Sequence, residues 1–480
     1  MVFTSSAFLF LFLPLFLAVY HLLPARWRTT WILVASYLFY GWWRLDFLLL
    51  FILSSVVTYL LGRRIARARE ERPGAARRLL AGGVVLHLGT LAYFKYFNFG
   101  VDSLNALLTA LGGSGFDAWQ VILPIGISFY IFQCISYLVD TNRGDVPGDQ
   151  RFVDVAAYIA LFPQLIAGPI VRYKDLGWQL RNPVARAGDF SAGSLRFMVG
   201  FCKKVLVADT VAPLVDATFA LPAPTMAESW LGALAYAIQL FFDFSGYSDM
   251  AIGIARMMGL RLLENFALPY QSKTNTEFWR RWHISLSRWL RDYLYIPLGG
   301  NRRGRGRTYV NLATVMVLGG LWHGAAWTFV LWGAWHGGLL VAERLLTEAK
   351  VRLAVPAWLA VARTFLFVLL GWVTFRATSF ADALAVYRGM AGLNGFGLSA
   401  DFTWQVPLLS VVVLVVAYAL VWLPPARDPL PAQERATRES GAIPMGALYR
   451  LPVGLLVPLF ALGILRSVAN SFSPFLYFQF

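Results

Sequence analysis

The chain has 480 residues, 58% of them hydrophobic and 14% charged, with a formal net charge of +16. Soluble domains are about 45–50% apolar and about 25% charged, so a water-soluble globule of this composition would expose apolar patches that such proteins avoid. The mean hydropathy of +0.58 sets the excess against lipid. The cations lie in short clusters between apolar runs, which is the positive-inside pattern and not a nucleic-acid-binding face. The two cysteines, Cys134 and Cys202, show no CxxC or Cys/His spacing and no disulfide framework. No polar stretch is long enough to be a separate domain, so 1–480 reads as one membrane-embedded unit.

A helix needs about 20 apolar residues to cross the hydrocarbon core. Runs that meet or approach this length lie at 6–23, 29–44, 46–62, 79–98, 118–139, 153–171, 194–213, 228–259, 309–347, 358–376, 405–424 and 450–468. The run 309–347 is long enough for two, which predicts an all-α polytopic protein of about 11–13 membrane segments. The first run lacks a basic n-region and a small-x-small cleavage site, and so reads as a retained span. Arg26 and Arg28 follow it, and two spans later comes the strongest cationic cluster, Arg63–Arg78. Both belong on the cytoplasmic side, with the N-terminus on the opposite, periplasmic side.

The parity changes at 153–171, after which Arg172, Lys174, Arg181 and Arg186 form another basic stretch. Within FPQLIAGPI, Pro163, Gly168 and Pro169 cannot sustain a straight helix. The segment is predicted to enter and return on the cytoplasmic face. Broken backbone at membrane depth is tolerated where it packs in protein or lines a wet cavity, so an enclosed cavity is expected.

Region 271–308 is too charged to span. Thr276 or Asn275 can cap a helix reaching about Tyr295, which Pro297 and Gly299–Gly300 stop. On it Trp279, His283, Leu286 and Leu290 share one side, and Arg281, Ser285, Arg288 and Asp292 fall toward another. That division suits the membrane interface, and NRRGRGR follows as a cationic loop. Residues 425–449 read as a polar loop.

Five histidines are present. His21 and His87 read as polar side chains satisfied by a neighbouring helix. His323, in GGLWHGAAWTF, is ionisable within an apolar run, a costly placement that usually faces a bundle interior or a water-filled path. Its neutral imidazole can take a proton from a hydroxyl as a general base, or it can simply pack between helices. Gly319, Gly320 and Gly324 would let a substrate approach the backbone, and Trp322 and Trp327 would wall the site. His283 can approach His323 from the interfacial helix. His336 lies thirteen residues beyond, about 220° away on one continuous helix, and ranks third. Asp243 and Asp249, in FFDFSGYSDMAIG, can line a polar cavity, orient a histidine or pair with arginines. Glu277, Arg280 and Arg281 are at helical pairing distance. Converging metal ligands are lacking, as are GxSxG, GxxxxGK[ST], HExxH and a strand-linked GxGxxG, which leaves a histidine-centred transfer or a transport path.

Several segments together carry a resemblance: MVFTSSAFLFLFLPLFL, YGWWRLDFLLLF, LPIGISFYIFQ, LFPQLIAGPIVRYKDL, FFDFSGYSDMAIG, NFALPYQS, TEFWRRWHISLSRWLRDYLYIPLGGNR, GGLWHGAAWTF and FLYFQF. In this order, over nearly the whole length, the chain resembles the membrane-bound O-acyltransferases, in particular the bacterial alginate O-acetyltransferase membrane subunits. The resemblance implies a ring of helices around a central funnel or tunnel, with re-entrant and interfacial helices. It implies acetyl transfer at the inner membrane from a cytoplasmic donor such as acetyl-CoA, with no bound cofactor and no metal. Periplasmic partner proteins would pass the group to hydroxyls of an exported polysaccharide such as alginate. The family's essential histidine falls on His323, and a second polar site on His283. Arg280, Arg281, Arg302 and Arg303, with Arg305 and Arg307, form a rim able to attract a donor's phosphates. The competing class is a transporter or channel for a small anion or a lipid-linked sugar, suited by broken helices.

Overall fold

The computed structural model describes residues 2–351, 355–423, 447–469 and 475–476, and no strand occurs among them. Residues 425–446 of the expected polar loop lie outside the described residues; the stretch ends in a short 3₁₀ turn, Ala447–Arg450. The chain divides into two compact units: residues up to Ser194 with Ala251–Leu263, and Leu195–Met250 with the residues from Glu264 onward.

The first unit begins with a π-helical turn, Phe8–Phe12, leading into α1 (Leu13–Leu22). There follow α2 (Ala25–Gly41), α3 (Leu45–Glu71), α4 (Pro73–Ala110), α5 (Ile127–Arg143), α6 (Phe152–Ala160), the single turn α7 (Phe162–Leu165) and α8 (Tyr173–Arg181). Between α3 and α4 only Arg72 leaves the helical region, and Pro73 restarts the helix at a position where its missing N–H costs nothing. The Arg63–Arg78 cluster is therefore helical on both sides of Arg72. At 38 residues α4 is about 57 Å long, well beyond a hydrocarbon core of about 30 Å, so part of it lies outside the core.

The break predicted in 153–171 is present, and its physical setting is specific. Leu161 is non-helical (φ −49°, ψ 103°), and the amide freed at Phe162 donates to Ser36 Oγ at 3.2 Å. Gln164 Nε2 donates back to the Tyr158 carbonyl at 2.8 Å. The Phe162 ring sits among Phe12, Phe16 and Phe39 at centroid distances of 5.3, 5.0 and 5.4 Å. Of the two settings expected for broken backbone, α7 has the protein-packed one: its four residues are buried in protein, and the cavity lies elsewhere.

The second unit holds the C-terminal half of α9 (Ala187–Cys202), a π-helical turn Lys203–Ala208, α10 (Asp209–Ala220) and the greater part of α11 (Met226–Met257). It continues with α12 (Asn275–Arg281), α13 (Ile284–Leu290), α14 (Arg305–His323), α15 (Trp327–Glu348), α16 (Ala357–Arg376), α17 (Phe380–Met390), α18 (Ala400–Gln405), α19 (Leu408–Trp422) and α20 (Val453–Ala469). In lipid, helices associate through close packing at small residues more than through hydrophobic drive. Accordingly α9 and α11 cross at Gly200 and Gly246, where a β-carbon on either would lie within 2.7 Å of the other's carbonyl oxygen.

Among the described residues, three helices are long and apolar enough to cross a membrane, α3, α4 and α16; Phe8–Leu22, α19 and α20 are shorter apolar helices. Other runs in the sequence count differ for visible reasons. Run 118–139 becomes helical only at Ile127, 194–213 is interrupted by the π-helical turn, and α11 carries buried carboxylates.

Those carboxylates form a buried ionic network. Lys204 Nζ lies 2.6 Å from Asp209 and 2.7 Å from Asp243. Lys203 reaches Asp249 at 2.6 Å, and Arg196 bridges Asp249 at 2.7 Å and Glu264 at 2.5 Å. Tyr449 covers the Arg196 guanidinium and the Lys203 ammonium at 5.1 and 4.7 Å. Asp243 and Asp249 thus pair with cations of the neighbouring helix, chiefly lysines.

Candidate active site

The predicted single helix from about Asn275 to Tyr295 is two helices. Thr274 caps α12 by accepting from the Glu277 amide, where Thr276 or Asn275 was expected. The N-terminus of α12 is also bound by Glu343 of α15, which accepts from the Asn275 and Thr276 amides at 2.5 and 2.9 Å. It accepts from their side chains too, at 2.8 and 2.9 Å. A carboxylate suits a helix N-terminus, where amides are unpaired and the dipole is positive.

The break falls on His283, which adopts the left-handed conformation (φ 44°, ψ 55°). Such strain in a residue other than glycine costs about 1–3 kcal/mol and persists only when the surroundings hold it. They do: Ile284 N–H donates to the Asn265 carbonyl at 2.9 Å, and Ala267 N–H donates to the Arg281 carbonyl at 3.0 Å. The break also changes which residues are buried. Ser285, placed with the polar side in the sequence, is 1% exposed, and α13 is packed inside the unit.

His323 ends α14. The chain turns at Gly324–Ala326 and returns as α15, so 309–347 is a helical hairpin. Gly320 and Gly324 serve that hairpin. A β-carbon on Gly320 would lie 2.2 Å from the Phe329 carbonyl oxygen, and one on Gly324 would lie 2.1 Å from the Phe329 ring. Neither admits substrate. Gly319 is the one that lines the cavity, and a β-carbon there would meet only Leu290 Cδ1, at 3.4 Å.

The cavity has a volume of about 230 Å³ and is almost wholly apolar. Leu286, Leu290, Leu312, Met316, Gly319 and Leu340 form much of its lining, which passes from exposed Arg291 and half-buried Tyr295 to buried His323. The His323 ring lies 5.1 Å from Trp322, 5.2 Å from Trp332 and 5.4 Å from Phe375, and 6.2 Å from the His283 ring. Trp322, Trp332 and Phe375 thus pack around the His323 ring, whereas Trp327 is 54% exposed.

His336 returns to consideration because the hairpin removes the single-helix phase argument. Its ring lies 5.0 Å from the same Trp332, and Trp279, which lines the cavity, is 5.1 Å away. Trp332 and Trp279 therefore stand between it and the His323 cavity.

The rim arginines divide. Arg281 is paired with Glu277 at 2.6 Å, and Arg305 reaches Glu348 at 3.4 Å. Arg280, Arg302, Arg303 and Arg307 are exposed. Helix α14 begins at Arg305, so the expected cationic loop is shorter than NRRGRGR.

Residues 120–381, containing both helices of the hairpin, His283 and the cavity, match the family model for MBOAT, the membrane-bound O-acyltransferase family. The chain belongs to that family. It is 49% identical over 503 residues to the probable alginate O-acetylase of Azotobacter vinelandii, with both chains covered in full. It is 50% identical over 490 residues to that of Pseudomonas putida, again over both full lengths. The peptidoglycan O-acetyltransferase of Helicobacter pylori is 37% identical over 434 residues, covering 83% of this chain and 81% of the relative. The protein is thus a membrane-bound O-acyltransferase.

As such an enzyme, it has one buried histidine open to an apolar cavity and, beside it, a second held in a strained backbone conformation. Asn265, Trp332 and Phe375 were not singled out in the sequence, although Asn265 opens the segment NFALPYQS. Their partners lie far along the chain or across a turn, so sequence spacing does not reveal what they touch.

Proposed function

We propose that this enzyme moves an acetyl group from cytoplasmic acetyl-CoA toward hydroxyls of an exported polysaccharide such as alginate, with periplasmic partner proteins receiving or delivering the group. It does so at the bacterial inner membrane, in a ring of helices around a central funnel, with its N-terminus in the periplasm. The observation that carries this reading is His323 at the buried end of the cavity. The full-length relation to alginate O-acetylases favours acetyl as the group and polysaccharide as its destination.

The cavity is smaller than the roughly 300–1,000 Å³ of drug-sized sites. It suits the acyl thioester end of a donor, while the nucleotide phosphates stay with exposed cations such as Arg280, Arg302 and Arg303. Arg281 contributes through its ion pair to the stability of α12. In the transfer, the acceptor oxygen attacks the thioester carbonyl carbon, and His323 takes the hydroxyl proton as the C–O bond forms. The C–S bond then breaks, and the leaving thiolate takes up a proton. His283, the second polar group beside the reacting centre, takes part through its imidazole. Positioned acid–base catalysis of this kind is worth roughly 10²–10⁴-fold.

The test is acetyl transfer from labelled acetyl-CoA to exported polymer by membranes holding matched amounts of wild type and His323→Ala. Loss of transfer by roughly 10²-fold or more, with normal membrane accumulation, is expected. Full activity in the variant refutes the assignment, and movement of unmodified substrate without acetylation supports a transporter.

A further inference from the structure

Asn265 lies eighteen residues before His283 in sequence and is 1% exposed. Its side-chain carbonyl Oδ1 faces three groups: Ser285 N at 3.3 Å, Ser285 Oγ at 2.9 Å and His283 Nδ1 at 3.1 Å. Its amide Nδ2 donates to Ser248 Oγ at 3.1 Å. Amide oxygen and nitrogen are distinguished by the partners they can have. Here the Ser285 main-chain N–H decides, since it can only donate and must face the oxygen.

That fixes the imidazole in turn. An atom bonded to an acceptor oxygen must carry the proton, so His283 is protonated at Nδ1 and, when neutral, presents a lone pair at Nε2. Nε2 is buried with no protein hydrogen-bond partner, on a ring 6.2 Å from that of His323. The same asparagine holds the strained main chain through the Ile284 amide. Asparagine or glycine would occupy the left-handed position with less strain, and neither supplies an imidazole.

We infer that Asn265 is a positioning residue that fixes His283 as the Nδ1–H tautomer and so keeps Nε2 as a buried proton acceptor beside His323. The catalytic consequence rests on the proposed acetyl transfer, whereas the tautomer does not. A base held in the wrong tautomer loses its acceptor atom even when its position is kept, a loss that is large in histidine-dependent hydrolases.

The direct test is ¹⁵N NMR of the full-length protein in lipid nanodiscs with labelled histidine, the His283 signals being assigned by their disappearance in His283→Gln. Protonated Nδ1 with unprotonated Nε2 is expected in the wild type, and the opposite pattern overturns the inference without any variant having to fold. Asn265→Leu removes the acceptor. It is expected to release the tautomer and to lower kcat roughly 10- to 100-fold, as loss of a partner that orients a functional histidine does, with donor KM within about twofold. Asn265→Asp retains an acceptor for the same three donors and is expected to restore both the tautomer and most of kcat. An Asn265→Leu enzyme that accumulates normally and keeps full kcat overturns the positioning role. Full activity in His283→Gln instead removes the catalytic reading of His283, and the NMR result still decides the tautomer.

Discussion

Replacing Gly320 by alanine sets a methyl carbon 2.2 Å from the Phe329 carbonyl oxygen and 3.2 Å from both Cα and N of Gly333. A relaxed carbon–oxygen contact is about 3.3–3.6 Å, so α14 and α15 must separate by about 1 Å. Every blocking atom belongs to backbone, and no side-chain rotation can absorb the change. Overpacking of this kind costs about 1–3 kcal/mol, against which alanine regains about 1 kcal/mol of helix propensity. The net loss of stability is small, about 2 kcal/mol at most. The functional effect is larger, because His323 lies three residues along the displaced helix and a 1 Å misplacement can cost about 10²-fold in rate. Gly319→Ala is the matched control for stability: its methyl meets only Leu290 Cδ1 at 3.4 Å, so the hairpin stays closed and the thermal midpoint is not lowered. The assay is acetyl transfer beside the midpoint of heat-induced loss of the monodisperse peak in size-exclusion chromatography. Equal behaviour of the two alanine variants would refute the assignment of one glycine to helix packing and the other to the cavity.

Lys204→Met strands Asp209 and Asp243 without their shared cation, and is expected to cost about 3–5 kcal/mol. Adding Asp243→Asn should recover part of the lost thermal stability, measured by the same heating assay. Glu343→Ala removes four hydrogen bonds from the start of α12; loss of such a cap costs about 0.5–2 kcal/mol, and Glu343→Gln, which keeps an acceptor, should lie between it and wild type. Neutralising Arg302 and Arg303 together should raise the donor KM at low salt, with the difference shrinking as ionic strength screens exposed charge. An unchanged low-salt KM would remove these arginines from donor binding.

The sequence and the structure agree most where chemistry is local and costly. His323 was legible because an ionisable side chain in an apolar run needs a reason, and the break before Phe162 because Pro163 cannot be ignored. The kink at His283 was not legible. It is a single left-handed residue with no glycine or proline to mark it, held by main-chain bonds to the irregular segment of Asn265 and Ala267. The glycines around His323 suggest room for substrate in the sequence. The role of Gly320 and Gly324 depends instead on Phe329, across a turn whose geometry no period in the sequence reveals. The count of spans differed for a related reason: a run such as 228–259 is apolar enough to suggest a span, yet the helix formed there turns Asp243 and Asp249 inward to lysines on its neighbour.

The close crossing of α14 and α15 bears on how this enzyme could be altered. Gly320 lies against the Phe329 carbonyl, and Gly333 against that of Met316, so backbone meets backbone and the hairpin has no slack to trade. Across the cavity, Leu286 and Leu290 line it from α13, outside the hairpin. For a designer seeking room for a bulkier acyl group, trimming Leu286 or Leu290 is a change made outside the frame that carries His323.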